Sequence, residues 1–173
     1  KWQEAEHVDD VIQELAAKLD AKPTDAPLAY GLGYAHAVRR DDGDLAQAES
    51  LLRRAAQGEP MLILAHFTLG GVLNELGRTD EAIVAYGECV RLDEMYVRAY
   101  YAMGELYRAS GRLPDALRSY ALAIELAESP WAHPYHGQGL VLVAQANDAD
   151  AARNHISTAV VGTRGGAGAS TVE

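Results

Sequence analysis

A 34-residue unit occurs twice in succession, and it constrains the fold more than any other feature of this sequence. Residues 63–96 align on residues 97–130 without a gap, and the glycine at Gly77 falls on Gly111. In each copy, apolar residues recur at three- and four-residue steps on both sides of that glycine, which predicts two helices joined by a turn. One such pair cannot bury its apolar face alone, so we expect several pairs to stack.

The small and apolar positions of both copies resemble those of the tetratricopeptide repeat family. The residues that carry the resemblance are Leu69-Gly70, Gly77, Ala82, Tyr86 and Leu92 in one copy and Met103-Gly104, Gly111, Ala116, Tyr120 and Leu126 in the other. The resemblance implies an all-α fold, a right-handed α-solenoid of antiparallel helix pairs. It also implies that the first helix of each pair lines an inner, concave wall.

We predict about four repeat units behind an N-terminal helix. Residues 1–25 carry apolar side chains at helical spacing and form either the end of a preceding repeat or a cap. The units then span residues 26–62, 63–96, 97–130 and 131–161. The last unit departs from the pattern, as a terminal unit with one neighbour does. Residues 162–173 are rich in glycine and predict a flexible tail.

The first unit is longer than the others by three residues in the turn at residues 40–43. We expect Asp44 to cap the helix that follows, with Gln47 completing a weak capping box. The stretch from Asp41 to Asp44 also resembles the start of a calcium loop. It lacks the spaced ligands and the closing glutamate of an EF-hand, so we predict a solvated turn.

Small residues should set the distance between the two helices of each pair. We expect Gly70 and Gly104 on the first helices to face Ala82 and Ala116 on the second helices, which allows a close approach of the two backbones. In the fourth unit, we place Gly139 at the position of these glycines.

The resemblance assigns four positions of each first helix to the concave wall. Aromatic and arginine side chains are frequent there, and such side chains are the usual anchors of binding surfaces. We expect the wall to bind an extended or helical apolar segment of a partner protein. In the alternative interpretation, its aromatic side chains only pack neighbouring first helices together. The candidate partner-binding residues are Tyr30, Tyr34, Phe67, Asn74, Arg98, Tyr101, Glu105, Arg108, His133 and His136.

Some members of the family hold the C-terminal carboxylates of chaperones in a clamp of Lys, Asn and Arg side chains. The Lys and Asn positions of that clamp are occupied here by other residues, so we do not carry this function over. Those positions hold Tyr30 and Tyr34, Phe67 and Gly71, or Tyr101 and Glu105, depending on the unit that is compared.

The sequence predicts no catalytic site, no cofactor and no metal site. The serines fall on turns or helix surfaces without an evident base. His133 and His136 are three residues apart, but no Cys, Asp or Glu nearby supplies a good third ligand. Cys89 takes the place of a packing alanine and should be a buried, inert thiol. We therefore expect a protein that is not an enzyme.

Charge and composition narrow the partners further. The net charge of −10 over 173 residues argues against binding to nucleic acid or to an anionic membrane surface. No apolar run reaches the roughly 18 residues that span a bilayer.

The single cysteine excludes an intrachain disulfide and favours the cytoplasm. A periplasmic chain, or one anchored to a membrane through a segment before Lys1, is the alternative. The use of Ala, Asp and Arg indicates a bacterial source.

These features predict a non-enzymatic scaffold or adaptor that binds a peptide segment or helix of a partner protein in its concave groove. Two alternatives stay open. The end helices could stack on a second copy and give a dimer or filament. The chain could also be the regulatory or targeting domain of a larger bacterial protein.

Overall fold

The chain is an all-α solenoid, as predicted, and no strand occurs in the part of it that the structure describes. The structure is a computed structural model that describes residues 2–127, 134, 136–146 and 149, with the backbone alone for residues 2–6. Residues 136–146 are helical. The preceding helices are α1 (Trp2–Ala21), α2 (Ala26–Arg39), α3 (Asp44–Gly58), α4 (Ile63–Glu75), α5 (Thr79–Leu92), α6 (Val97–Ala109) and α7 (Leu113–Leu126).

The helices pack in a linear array, because the principal contacts of each helix are with its neighbours along the chain. The most extensive contacts join α2 to α3, α4 to α5 and α6 to α7. Smaller contacts join these pairs to one another, from α3 to α4 and from α5 to α6. Helix α1 packs on α2. The first helices of successive pairs, α2, α4 and α6, therefore follow one another along the array.

Local sequence signals start several of these helices. The side chain of Asp25 caps α2 by accepting a hydrogen bond of 3.0 Å from the amide of Leu28. Prolines lie in the first turns of α2 and α7, where the missing N–H has no acceptor within the helix. The proline of α7 is Pro114.

Two matching turns connect the helices of the second and third pairs. Gly77 and Gly111 adopt positive φ angles of 76° and 74°, which a residue with a Cβ adopts only with strain. The following amides close the turns, since Arg78 N donates to Leu73 O and Arg112 N donates to Tyr107 O. Bonds of this span define the Schellman motif that ends a helix at a glycine.

The turn of the first pair is built differently, and it contradicts the prediction for Asp44. The N-cap of α3 is Gly43, with φ 86°, and no side chain caps the helix. Asp44 is the first residue of α3, and only 1% of its side chain is exposed. The predicted capping role of Asp44 and the predicted solvation of the turn are both wrong at this position. Asp41 and Asp42 are exposed.

The carboxylate of Asp44 is buried because three groups satisfy it. Arg39 donates to both of its oxygens, with Nε 2.7 Å from Oδ2 and Nη2 2.6 Å from Oδ1. Nδ1 of His36 lies 2.7 Å from Oδ1, and the amide of Asp41 donates to Oδ2. His36 is itself 5% exposed. We call His36, Arg39 and Asp44 the α2–α3 ion cluster; Arg39 also reaches Asp9 on α1.

Small residues of the second and third pairs also permit a contact that was not predicted. A Cβ added to Gly70 would lie 2.7 Å from the ring of Tyr86, and one added to Gly104 would lie 2.6 Å from the ring of Tyr120. These glycines therefore make room for tyrosine rings, and the predicted contacts with Ala82 and Ala116 stay a prediction. An aromatic ring needs more space than a methyl group, so the glycine is required opposite the ring.

The helical segment 136–146 continues the array beyond α7. Tyr120 is fully buried, and its ring also lies against Gly137, where an added Cβ would come within 2.6 Å of it. No described atom lies within 4 Å of a Cβ added to Gly139, and residues 150–161, which it was expected to face, lie outside the described residues. Val141 is fully buried beside Ala116 and Tyr120. The rest of the predicted fourth unit and the predicted tail lie outside the described residues.

Candidate peptide-binding groove

An open depression of about 410 Å³ lies where α2, α4 and α6 follow one another. Its wall is formed mostly by aromatic and aliphatic side chains, with a few charged groups at the margin. We call it the aromatic depression. Its lining residues are Tyr30, Tyr34, Ala37, Val38, Arg40, Leu64, Phe67, Thr68, Gly71, Val72, Glu75, Tyr86 and Arg98.

Phe67 lies at the centre of this wall and contacts three other side chains. Its ring centroid lies 5.3 Å from that of Tyr86 and 5.5 Å from that of Tyr96, in tilted and edge-on arrangements that aromatic pairs favour. The guanidinium carbon of Arg98 lies 4.9 Å from the centroid of the same ring. Phe67 is half-buried and packs against the largest apolar core. Its replacement would therefore disturb the fold as well as the surface.

Other apolar side chains of the aromatic depression are open to solvent. Tyr34 is 51% exposed, and its ring centroid lies 6.2 Å from that of Tyr30 on the preceding turn of α2. Leu64 on α4 is 48% exposed, and Val38 on α2 is 50% exposed. A ligand that covered these side chains would remove apolar area from water without rearranging the core.

The charged groups at the margin differ in whether the chain already pairs them. Arg40 donates a hydrogen bond of 2.6 Å to Glu75, which links the end of α2 to the end of α4. Arg98 is exposed, and no carboxylate of the described residues forms an ion pair with it. The cation of Arg98 is thus the charge at this margin that the described part of the chain leaves uncompensated.

On α6 the candidate residues pair with one another. Glu105 accepts a hydrogen bond of 2.8 Å from Arg108 and one of 2.5 Å from the hydroxyl of Tyr120. Burial acts to raise the pKa of Glu105, but these two hydrogen bonds outweigh burial and lower the pKa. Tyr101 packs its ring 6.1 Å from that of Tyr120. The carboxylate of Glu105 is therefore ionised at neutral pH and already satisfied.

The equivalent tyrosine of the preceding pair has no such acceptor. Tyr86 stands 34 residues before Tyr120, and Gly71 stands 34 residues before Glu105. The hydroxyl of Tyr86 has no hydrogen-bond partner among the described residues, and it would lie 3.7 Å from a Cβ added to Gly71. Burial, with a smaller effect of nearby Cys89 and Glu75, raises the pKa of Tyr86 to about 12, so its hydroxyl keeps its proton and can donate.

The structure brings four of the ten candidate residues together in the aromatic depression, namely Tyr30, Tyr34, Phe67 and Arg98. Asn74 is exposed near the end of α4. Tyr101, Glu105 and Arg108 lie further along on α6, and the charge of His136 acts on Glu105 from the helical segment beyond. His133 lies outside the described residues. The location of these residues is known from the structure; their role in binding stays a prediction.

Sequence reasoning missed several side chains of the aromatic depression, Val38 and Tyr86 among them. Tyr86 belongs to the core and also lines the depression, and Arg40 and Glu75 form the ion pair at its margin. The signal for Tyr86 was present in the repeat itself. A glycine at 71 opposite a glutamate at 105 indicates that one of the two tyrosines lacks its acceptor.

Cys89 is fully buried, and burial raises the pKa of its thiol to about 12.

Among the described residues, no cluster of three or more His, Cys, Asp or Glu side chains could hold a metal ion. The helices that the structure describes also include none with the length and apolar character needed to cross a membrane.

Two repeat models match the chain in sequence. One is described as TPR repeat and covers residues 70–107, and the other is described as Tetratricopeptide repeat and covers residues 97–130. No curated protein sequence matches the chain significantly.

Solved structures show the same fold. The chain is similar to MamA, with 20% sequence identity over 99% of this chain and 92% of the other and a TM-score of 0.74. It is similar to YrrB, described as a TPR protein with an unusual peptide-binding site, with 19% identity over 84% and 73% of the two chains and a TM-score of 0.69.

A third similar structure is the first TPR of Spaghetti (RPAP3) bound to an HSP90 peptide, with 17% identity over 70% and 93% of the chains and a TM-score of 0.63. The sequence repeat, the matching repeat models and the shared helical array agree with one another. Residues 70–130 are tetratricopeptide repeats, and the described helices have the fold of the solved tetratricopeptide repeat structures.

Proposed function

We propose that this protein is an interaction scaffold that binds a peptide segment or helix of a partner protein in its concave groove. The aromatic depression is the observation that carries this proposal. It places the exposed side chains of Tyr34, Val38 and Leu64 around one cavity of about 410 Å³. Apolar side chains that converge on a cavity with few polar groups are typical of ligand sites.

Two similar proteins support the proposal by what they bind. The first TPR of Spaghetti (RPAP3) is bound to the HSP90 peptide SRMEEVD, and YrrB has a peptide-binding site. Aromatic and arginine side chains, which dominate the energy of many interfaces, are present here as Tyr30, Tyr34, Phe67 and Arg98.

The test uses random twelve-residue peptides displayed on phage and selected on the whole chain. Enriched peptides are then measured by calorimetry against Tyr34→Ser combined with Leu64→Ser. Both side chains are about half exposed, so the double variant should keep the fold while binding weakens by about 2 kcal/mol or more. A double change of Phe67 and Tyr101 is unsuitable, because Phe67 also supports the core.

Val84→Ser is the matched control. Val84 is 66% exposed on α5 and does not line the aromatic depression. Peptides that bind the wild type and Val84→Ser equally, and the double variant more weakly, would support the proposal. Peptides that bind all three proteins equally would remove the groove from consideration. Light scattering of the same proteins would show whether a second copy of the chain occupies the groove instead.

A further inference from the structure

We propose that the floor of the aromatic depression, above Gly71, binds the side-chain carboxylate of a glutamate in the partner peptide. This inference rests on the proposed function and names the chemistry of the ligand. It comes from a comparison between two repeats of the same molecule, one of which carries its own glutamate at the equivalent place.

The third pair shows the occupied form of the site. Glu105 of α6 lies against α7 and accepts from the hydroxyl of Tyr120 at 2.5 Å. Arg108, one turn further along α6, donates to its other oxygen at 2.8 Å. The carboxylate accepts from one phenol and one cationic donor. This arrangement is strong, because a hydrogen bond to an ionised group is stronger than one between two neutral groups.

The second pair shows the same site without its carboxylate. Gly71 and Tyr86 have the same separation of 15 residues as Glu105 and Tyr120. The ring of Tyr86 lies against Gly70 as that of Tyr120 lies against Gly104, so the two phenols are oriented alike. With glycine at 71, the hydroxyl of Tyr86 borders the depression without a hydrogen-bond partner among the described residues.

A cation is also available beside this hydroxyl. Arg98 lines the depression, and its positive charge acts to lower the pKa of Tyr86 against the larger effect of burial. Its guanidinium lies over Phe67, which leaves the N–H groups at its edge for a ligand. Asn74 occupies the position that Arg108 has in the third pair and adds an uncharged donor there.

The charges around the depression favour one carboxylate and not several. Glu75 lines the same cavity, but its charge is paired with Arg40 at 2.6 Å. The chain as a whole carries a net charge of −10, which repels acidic ligands at long range. The ligand should therefore present a single glutamate to Arg98 and Tyr86, next to an apolar side chain that contacts Tyr34 and Leu64.

The first experiment places the glutamate in the chain itself. Gly71→Glu should melt a few degrees higher than Gly71→Gln, because only the carboxylate pairs with both Arg98 and Tyr86. The gain should become smaller when Tyr86→Phe is added to both proteins and should disappear when Arg98→Gln is added as well. Equal melting temperatures of the Glu and Gln variants, or a gain that neither Tyr86→Phe nor Arg98→Gln reduces, would overturn the proposal.

The second experiment uses two random twelve-residue phage libraries on the whole chain. One library fuses the peptide C-terminus to the coat protein, so that only side-chain carboxylates are present; the other leaves the C-terminus free. We expect the fused library to enrich glutamate beside an apolar residue. These peptides should bind Arg98→Gln and Gly71→Glu at least about tenfold more weakly than they bind Val84→Ser or the wild type.

The outcomes separate this inference from the proposed function. Fused-library peptides that bind the groove without an acidic residue, or that bind Arg98→Gln as they bind the wild type, would overturn the carboxylate site and leave the proposed function standing. Enrichment in the free-C-terminus library alone would replace the side chain by a terminal carboxylate and so overturn the inference. An absence of binders in both libraries would contradict the inference and the proposed function together.

Discussion

Asp44 shows how a single charged residue can be placed wrongly from sequence. It follows Asp41, Asp42 and Gly43, a run that is typical of an exposed turn. The structure exposes Asp41 and Asp42 and buries Asp44, because Arg39 and His36 lie one turn apart on the preceding helix and meet it. Only the three-dimensional pairing of α2 with α3 brings these groups together.

Replacement of Asp44 should destabilise the fold through the α2–α3 ion cluster. Asp44→Asn leaves the cation of Arg39 half-paired in a mostly buried site, so we expect a loss of about 3 kcal/mol in the free energy of unfolding. Chemical denaturation at neutral pH measures the loss. Asp42→Asn, in the exposed part of the same turn, should change the free energy of unfolding by less than about 0.5 kcal/mol.

The same contact predicts how acid affects stability. The hydrogen bonds from Arg39 hold the pKa of Asp44 well below its usual range, although burial acts in the opposite direction. The unfolded chain has an ordinary pKa of about 3.9 for this group. The contribution of Asp44 is therefore complete above about pH 4 and is lost as the pH falls towards the lower pKa of the folded state. Denaturation across that range should show a smaller acid dependence in Asp44→Asn than in the wild type.

The two equivalent tyrosines should respond differently to loss of the hydroxyl group. Tyr120→Phe removes the hydrogen bond to the carboxylate of Glu105 and should cost about 1.5 kcal/mol of unfolding free energy. Tyr86→Phe removes a hydroxyl without a described acceptor and should cost less than about 0.5 kcal/mol. Denaturant titration of both variants makes the comparison; equal losses would contradict the difference between the two pairs.

At the scale of the helices, periodicity in the sequence was a reliable guide. The predicted N-terminal helix corresponds to α1, and the predicted helices of the repeat correspond to α4 to α7. The contacts between helices were less predictable, because the same spacing allows Gly70 to face either Ala82 or Tyr86. The ring lies there because a large side chain fills the space that two approaching helices leave beside a glycine.

This packing predicts opposite effects for two glycine-to-alanine changes. Gly104→Ala would place a Cβ 2.6 Å from the ring of Tyr120, and the overpacking should cost about 1–3 kcal/mol. Gly87→Ala on α5 meets nothing within 4 Å and should stabilise the chain by about 0.5–1 kcal/mol, since alanine favours the helix. Melting temperatures that shift in the same direction would show that Tyr120 can move aside.

At the scale of the whole molecule, the repeat and the family resemblance together predicted where the aromatic depression lies, but they did not predict its polar contacts. The family resemblance assigned Tyr30, Tyr34, Phe67 and Arg98 to one wall, and all four line the depression. The pairing of Arg40 with Glu75 depends on the approach of two helix ends, which the pattern does not specify. The difference between Gly71 and Glu105 indicates that Tyr86 lacks an acceptor only when the structure shows Tyr86 and Tyr120 in equivalent positions.

The α2–α3 ion cluster has a further consequence for assembly of the array during folding. The second helices α3, α5 and α7 are similar enough in sequence for α2 to collapse against the wrong one, a known hazard for repeat proteins. Counted by the repeat, α5 and α7 are preceded by Arg78 and Arg112 at the place of Asp44. Either of these partners would bring an arginine towards Arg39 and leave His36 without its carboxylate, so only α3 completes the polar contacts of α2. We therefore expect Asp44→Asn to refold from denaturant with a larger misassembled fraction than Gly104→Ala, as measured by size-exclusion chromatography after dilution. Equal fractions in the two variants would show that apolar packing alone selects the partner helix.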